Sequence, residues 1–469
     1  MMDPLRNHNL TPSHADARDL LRLALPLIAV SASRMLMGFI DFVMVSQLGT
    51  AAQAAISPAS LLVFTFLCLG MGAATSVQTF ASQADGRGEP ERGAAYAWQT
   101  VYMGLALGPL VWPLSQVMPD LYVWVAGVAG HSAEVQALET DYTRITVWSL
   151  TPAVVAVGLE SFFNGVQRPR VTLIAVLVSV VTNIIGNYLL IWGKFGCPQL
   201  GIYGAGLATV IGWWARVAVL LVAFCSSSLE ARYHTRLAWR PRLAEWRDIL
   251  RIGGPTSLSW MIDLGSWVVF LNLIMPMFGT VALAATNVGL QYTHLAFMPA
   301  IGIGMALCSQ VGFAIGAGRP EEAARRTQTA LRLTMGYMGL IGLVLFLLRG
   351  PLMGLLSADP AVIDGGRWVL TWAALYQVFD AMTITYISAL RGAGDTRVPA
   401  ILNGICCWGL FVGGGWLIAR WRPGWDLNGP WLMAVLYLTI VGLLVFWRYH
   451  TGAWRRIRVF GADAARAGE

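Results

Sequence analysis

"IGIGMALCSQVGFAIGAGRPEEA", residues 301–323, holds an apolar helical run, a tight glycine turn and the charged start of another helix, and the chain carries a second copy of it 232 residues upstream. The stretch "LGMGAATSVQTFASQADGRGEPE" at 69–91 aligns so that Gly70 falls on Gly302, Gly72 on Gly304, Gln78 on Gln310, and Gly86 and Arg87 on Gly318 and Arg319. Working outward, "LLRLALPLIAVS" (20–31) answers to "ILRIGGPTSLS" (249–259) at an offset of 229, with Pro26 on Pro255. "LGTAAQAAIS" (48–57) answers to "FGTVALAATN" (278–287) at 230. Three matches in the same order at nearly one offset mark an internal duplication.

Each copy is a string of membrane spans. Of the 469 residues 56% are apolar and only 12% charged, about half the charge of an ordinary soluble domain. Apolar stretches long enough to cross a bilayer recur at 22–47, 53–82, 94–118, 140–165, 171–193, 203–225, 248–276, 281–315, 328–349, 367–390, 398–420 and 429–448. Lipid offers an open backbone no hydrogen-bond partners, so these spans are expected to be α-helices. The fold class is therefore an all-α integral membrane protein with twelve transmembrane helices in two six-helix lobes. An even number of spans per copy brings both copies into the membrane from one side, as parallel repeats about an axis along the membrane normal. The longest polar stretch between spans, "SSSLEARYHTRLAWRPRLAEWRD" (226–248), divides an N-lobe, 1–237, from a C-lobe, 238–469, that ends in a short basic tail. Two facing lobes can open a cleft alternately to either side, which a transporter needs and a simple channel does not.

Lys and Arg accumulate in cytoplasmic loops. With the N-terminus inside, the inner segments hold 24 of the 32 Lys and Arg residues and the outer segments 6, leaving Arg34 and Arg216 within spans. Both termini are accordingly expected in the cytoplasm. The opening "MMDPLRNHNLTPSHADARD" has no apolar run followed by a small-residue cleavage site, so no cleaved signal is expected. The same asymmetry accounts for the net charge of +7 without a nucleic-acid partner, and the tail "TGAWRRIRVFGADAARAGE" suits anionic lipid. The cysteines Cys68, Cys197, Cys225, Cys308, Cys406 and Cys407 show no metal-ligand spacing, and only Cys197 falls in an outer loop; neither a metal cluster nor a disulfide framework is expected. No nucleophile and base pair appears within the spans, so an enzyme is not expected. "GAGRP" and "RGAGD" lack the P-loop Lys and follow no strand, which points to an ion gradient, without a cofactor, as the energy source.

A charge at the bilayer centre costs at least about 2.5 kcal/mol, so acids held there mark ion or proton pathways. Asp263 lies near the middle of the seventh span and Asp380 near the middle of the tenth, with no Arg in the central turns of either. Asp41 follows Arg34 by seven residues, two turns and about 10 Å along one face. It is either a functional acid or the structural partner of Arg34. In the duplication Arg34 takes the position of Asp263, and Phe270 that of Asp41. Glu160 is expected to snorkel toward Arg168, and Arg216 toward the interface. Asn183 and Asn187, one turn apart, either present amides to a cavity or bond neighbouring helices. His294 and Phe297 either line a cavity or pack.

The segments "LALPLIAV", "GFIDFVMVSQLGTAAQAA", "NIIGNYLLIWGKFGCPQLGIYGAGLATVIGWW", "VGFAIGAGRPEEA" and "LYQVFDAMTITYISALRGAGDTRVP" resemble those of the multidrug and toxic-compound extrusion (MATE) transporters, in the bacterial NorM-like branch. The resemblance implies two six-helix lobes in a V around a central cavity. It also implies a secondary active efflux transporter that exports small-molecule drugs or dyes, amphipathic and cationic, in antiport with Na+ or H+. The family's acidic positions fall on Asp41, Asp263 and Asp380, with Tyr376 one turn before the last. Asp263 stands where this branch usually has Glu, Arg34 at an often neutral position and Asn287 where His is common. Asp263, Asp380 and Tyr376 are expected to converge on one coupling-ion site, where the two carboxylates could hold Na+. Cargo or protons fall to Asp41, Arg34, Asn183, Asn187, Asn287 and Phe297. The alternative within the superfamily is a flippase or exporter of lipid-linked or anionic cargo, favoured by Arg34 and Arg216. A monomer is expected.

Overall fold

The computed structural model describes residues 14–128 and 132–460; the polar opening with Arg6 and the end of the basic tail with Arg466 lie outside the described residues. No strand occurs among the described residues. The long helices are α1 (Ala15–Ser46), α2 (Thr50–Arg87), α3 (Pro90–Met118), α4 (Ala133–Gly165), α5 (Pro169–Trp192), α6 (Gly201–Phe224), α7 (Leu243–Phe278), α8 (Thr280–Gly316) and α9 (Pro320–Leu347). They continue with α10 (Pro360–Ala393), α11 (Arg397–Trp421) and α12 (Asn428–His450). Among the described residues, eleven are long and apolar enough to cross a membrane. The remaining one, α10, has 34 residues but carries Arg367, Gln377 and Asp380 in its otherwise apolar run.

Local chemistry sets the helix ends. The Asp359 side chain accepts from the Ala361 N–H and Pro360 opens α10, where a missing N–H costs nothing. At the other end Gly394 takes φ 90°, a left-handed turn that only glycine enters freely, and its N–H closes on the last carbonyls. Pro26, Pro255 and Pro299 sit inside α1, α7 and α8. Two helices widen into π segments, α7 at Phe270–Ile274 and α11 at Cys407–Gly414.

By packing, the chain forms two compact units, Ala29–Ser257 and Met1–Ile28 with Leu258–Glu469. The lobes read from the linker, 1–237 and 238–469, follow the duplication; the packing units differ from them by the starts of α1 and α7. Both breaks fall at matched places, since 28 and 257 are separated by the 229 residues that align α1 with α7. Small residues make room for each helix start. A Cβ on Gly302 would lie 2.9 Å from the Ile28 nitrogen, and one on Gly72 would lie 2.5 Å from Ser257 Cα. Gly253 meets α2 in the same way, its Cβ position 2.6 Å from Ala73 Cα. Backbones brought this close are the usual means of packing helices where lipid supplies no hydrophobic drive.

The unit Ala29–Ser257 is built around α4, in which every residue from Leu150 to Gly165 is buried. Phe162 and Phe163 meet Phe224 edge to face there. The other unit centres on α8, α10 and α12, with Phe270 tilted against Phe411 and edge to face with Trp431 in its core. Phe39, Trp112, Val222, Leu347 and Trp447 are exposed, an apolar exterior of the kind lipid solvates. The close approach at Gly253 is testable: Gly253→Ala forces overpacking against α2 and is expected to cost about 1–3 kcal/mol. Gly254, beside it, has open space around its Cβ position, so Gly254→Ala leaves or raises stability. Thermal midpoints in detergent should fall only for Gly253→Ala, and equal midpoints would refute the packing.

Candidate functional site

In the unit that contains Leu258–Glu469, Asp263 projects half-buried from α7 among side chains of α11 and α12. Tyr437 Oη lies 3.1 Å from Asp263 Oδ1 and 2.9 Å from Asn403 Oδ1, sharing its hydroxyl hydrogen between them. The Asn403 amide donates in turn to Ser259 Oγ at 3.3 Å. Cys407, at the start of the π segment of α11, donates to Ser266 Oγ at 2.9 Å and stands 4.0 Å from Asp263 Oδ1. Ser266 Oγ donates to the Asp263 carbonyl at 2.6 Å. Hydroxyl and thiol dipoles thus fix the carboxylate without neutralising it.

Asp380 of α10 stands within electrostatic reach of both Asp263 and Tyr376. Its carboxylate makes no hydrogen bond or ion pair among the described residues. Tyr376 is buried, with Thr293 of α8 among its neighbours. Gln377, also buried, leaves Oε1 without a partner among the described residues. Asp263, Asp380 and Tyr376 are therefore neighbours. Asn287 and Phe297 are not part of this cluster: Asn287 is exposed on α8 without a hydrogen bond among the described residues. Phe297 packs on Ala300, Met338 and Ala381, with His294 edge-on at 5.7 Å.

The unit Ala29–Ser257 holds a second acid. Asn187 Nδ2 donates to Asp41 Oδ1 at 2.5 Å and reaches Asn183 Oδ1 at 3.4 Å, while Asn183 Nδ2 reaches Thr209 Oγ1 at 3.3 Å. A ladder of amides thus ties α1 to α5 and α5 to α6 and ends on the carboxylate. Tyr142, bonded by Ser60 at 3.3 Å, lies within electrostatic reach of Asp41. Asn187 Oδ1 is buried and has no partner among the described residues.

Of the two readings of Asp41, the pairing with Arg34 is not the one found, and the expectations for Glu160 and Arg216 are corrected. Arg34 does not pair with Asp41; its Nη2 bonds Glu160 Oε2 at 2.7 Å. Glu160 does not snorkel to Arg168, and Arg216 does not reach an interface: Glu160 is bonded by both Arg34 and Arg216. Glu160 and Arg216 are each only 3% exposed. The reason is the position of α4. Its half Leu150–Gly165 is enclosed on all sides, so a carboxylate there cannot reach water and takes cations from neighbouring helices instead of from its own end. The Arg216 guanidinium also lies 4.8 Å from the Trp213 ring.

Sequence reading missed Tyr437, Asn403, Cys407, Gln377, Tyr142 and Thr209. All are neutral, and neutral polar residues are common enough in membrane helices that no charge or spacing singled these out.

Compared with known proteins, the chain matches the MatE family model over residues 26–189 and 258–417, one stretch in each half of the duplication. The "Probable multidrug resistance protein NorM" of Rhizobium meliloti (strain 1021) is 29% identical over 457 residues, 95% of each chain. The protein of the same name from Burkholderia mallei (strain ATCC 23344) is 31% identical over 461 residues, 97% of this chain and 96% of that one. A solved outward-facing conformation of a multidrug resistance MATE family transporter of the MOP superfamily shares the fold, with a TM-score of 0.84 and 18% identity over 94% of this chain and 97% of that one.

Removing one partner of a buried ion pair strands the other. Glu160→Gln leaves two guanidiniums without their carboxylate and is expected to cost about 3–5 kcal/mol. A large drop in thermal midpoint or in folded yield checks this, and a wild-type midpoint would show that the triad carries no structural weight.

Proposed function

The chain belongs to the multidrug and toxic-compound extrusion family of membrane transporters, and from that premise we propose that it exports amphipathic organic cations in antiport with Na+ or H+. The observation that carries the proposal is the pair Asp263 and Asp380, two carboxylates within electrostatic reach and without ion-pair partners among the described residues. Two like charges in apolar surroundings demand a compensating cation. The donors are carboxylate and hydroxyl oxygens, hard ligands of the kind Na+ prefers, and a proton on either acid meets the same need.

Side chains of α7, α10, α11 and α12 all feed this cluster. Ion uptake there favours one arrangement of these helices and ion release another. Cargo that binds the two arrangements unequally is then linked to the ion, and by reciprocity the ion to the cargo. Asp41, with its amide ladder, is a second negative site for cationic cargo or a proton. The protein works as a monomer in the bacterial inner membrane, and 24 inner against 6 outer basic residues support both termini in the cytoplasm.

Two measurements test this. Expression in a bacterium lacking its own pumps should lower accumulation of cationic dyes such as ethidium, and unchanged accumulation of every such dye, with the protein in the membrane, counts against export. In proteoliposomes, dye efflux driven by an imposed Na+ gradient and then by a pH gradient identifies the ion. Asp263→Asn and Asp380→Asn should each abolish the driven flux, and a wild-type rate in both would remove the pair from the mechanism.

A further inference from the structure

The polar segment that follows α6 is fastened along the first turns of α3 by four side chains of that helix. The Trp98 ring N–H donates to the Thr235 carbonyl at 2.6 Å, and the Tyr102 hydroxyl donates to the Trp239 carbonyl. Gln99, buried, gives its amide to the Arg240 carbonyl at 3.1 Å and accepts the Arg242 N–H at 3.0 Å and the Trp246 ring N–H at 3.1 Å. Tyr96 donates to the Asp248 carboxylate at 2.9 Å. Trp98 and Tyr102 stand eight and twelve residues into α3, about 12 and 18 Å from its first residue. The backbone from Thr235 to Arg242 therefore runs alongside the span instead of past its end.

The side of this segment turned away from α3 is amphiphilic. Leu237 and Leu243 are 71% and 77% exposed, with Trp239 exposed between them, so no described residue covers them. Among them stand Arg236, Arg240, Arg242 and Arg247, against two acids, Glu245 and Asp248. Both acids are taken up within the protein: Glu245 is buried and bonded by Arg242 at 3.2 Å, and Asp248 is held by Tyr96. The Arg240 and Arg247 side chains are exposed and make no hydrogen bond or ion pair among the described residues. On α3 the residues Trp98, Tyr102, Leu105, Pro109 and Trp112, at i, i+4, i+7, i+11 and i+14, form one stripe. It passes from under the segment to an exposed face at Leu105 and Trp112, so the segment's outer side continues an apolar exterior that lipid solvates.

Tryptophan rings, leucine tips and arginine stems are solvated together only in the headgroup zone of a bilayer, where the guanidiniums reach phosphate. We propose that residues 236–247 form a binding surface for anionic phospholipid, with Arg240 and Arg247 taking the headgroup and Leu237, Trp239 and Leu243 resting among the acyl chains. A zwitterionic lipid carries its own cation beside the phosphate and gains little from the two arginines. An anionic lipid has a net charge for them to answer, and each arginine at such a surface is worth about five-fold in affinity. The inference is independent of what the protein exports.

The test uses the full chain, purified in a neutral detergent, and two probes labelled on the acyl chain, phosphatidylglycerol and phosphatidylcholine, read by fluorescence anisotropy. The wild type should bind phosphatidylglycerol more tightly by about ten-fold or more. Arg240→Gln with Arg247→Gln should weaken it by about 25-fold, five-fold for each arginine, and Arg240→Lys with Arg247→Lys should keep most of the affinity. Arg420→Gln with Arg422→Gln removes the same charge from two other exposed arginines and should leave binding unchanged. Leu237→Asn with Leu243→Asn keeps every charge and should weaken both lipids. Unlabelled phosphatidylglycerol should displace the probe, whereas inorganic phosphate or polyphosphate at equal phosphorus and ionic strength should not. The proposal is overturned if the wild type does not distinguish the two lipids, if the two double Gln variants lose binding alike, or if the leucine variant binds phosphatidylglycerol as the wild type does. Displacement by phosphate or polyphosphate as effective as that by the lipid overturns it too, since the surface would then serve a soluble anion.

Discussion

The interior of a bilayer answers no polar group, and nearly every feature of this protein follows from that refusal. The backbone answers itself, so the spans are helices. Side chains have to be answered by other helices. The Glu160 carboxylate takes two arginines from α1 and α6, Asp263 takes the Tyr437 hydroxyl from α12, and Asp41 takes an amide from α5. Each polar contact also staples helices together, so the acids hold the bundle at the points where they threaten it. The answer is incomplete at Asp380, at Gln377 Oε1, at Asn187 Oδ1 and at two nitrogens of Arg34, which have no partner among the described residues.

Duplication supplied the scaffold and divergence supplied the chemistry. The two halves still exchange their first helix starts at matched residues, 28 and 257, and both exchanges depend on glycines that let backbones touch. At the same depth the charges have been rewritten. Arg34 stands where the other copy has Asp263, and Asp41 where it has Phe270. The copy with two neighbouring carboxylates also carries both π segments found among the described residues, in α7 and α11, and the one in α11 begins at Cys407 beside Asp263. Insertion of an extra residue into a helical turn shifts the side chains after it, which is one way that equivalent helices come to present different groups.

What could be read from the sequence was what repeats or what is rare. Apolar length is a property of consecutive residues, so the spans, including the one inside α10, were legible, as were the duplication and the even number of crossings. Carboxylates are rare in such spans, so Asp41, Asp263 and Asp380 stood out. Partner choice was not legible. Seven residues along α1 made Arg34 and Asp41 look like a pair, and eight residues made Glu160 and Arg168 look like one, because spacing along a chain is the only distance a sequence contains.

The sequence by itself determined that this is a helical, duplicated membrane protein with a few costly charges, because those facts depend on composition and periodicity and hold for any packing of the helices. Tertiary structure alone decided who answers those charges. Glu160 lies on the helix segment, Leu150–Gly165, that its unit encloses on every side, so its cations come from across the bundle. Tyr437, Asn403 and Cys407 are ordinary residues of apolar spans until α11 and α12 turn them toward Asp263. The energy of a buried charge is set by what lies within a few ångströms of it in space, and that neighbourhood exists only once the helices have packed.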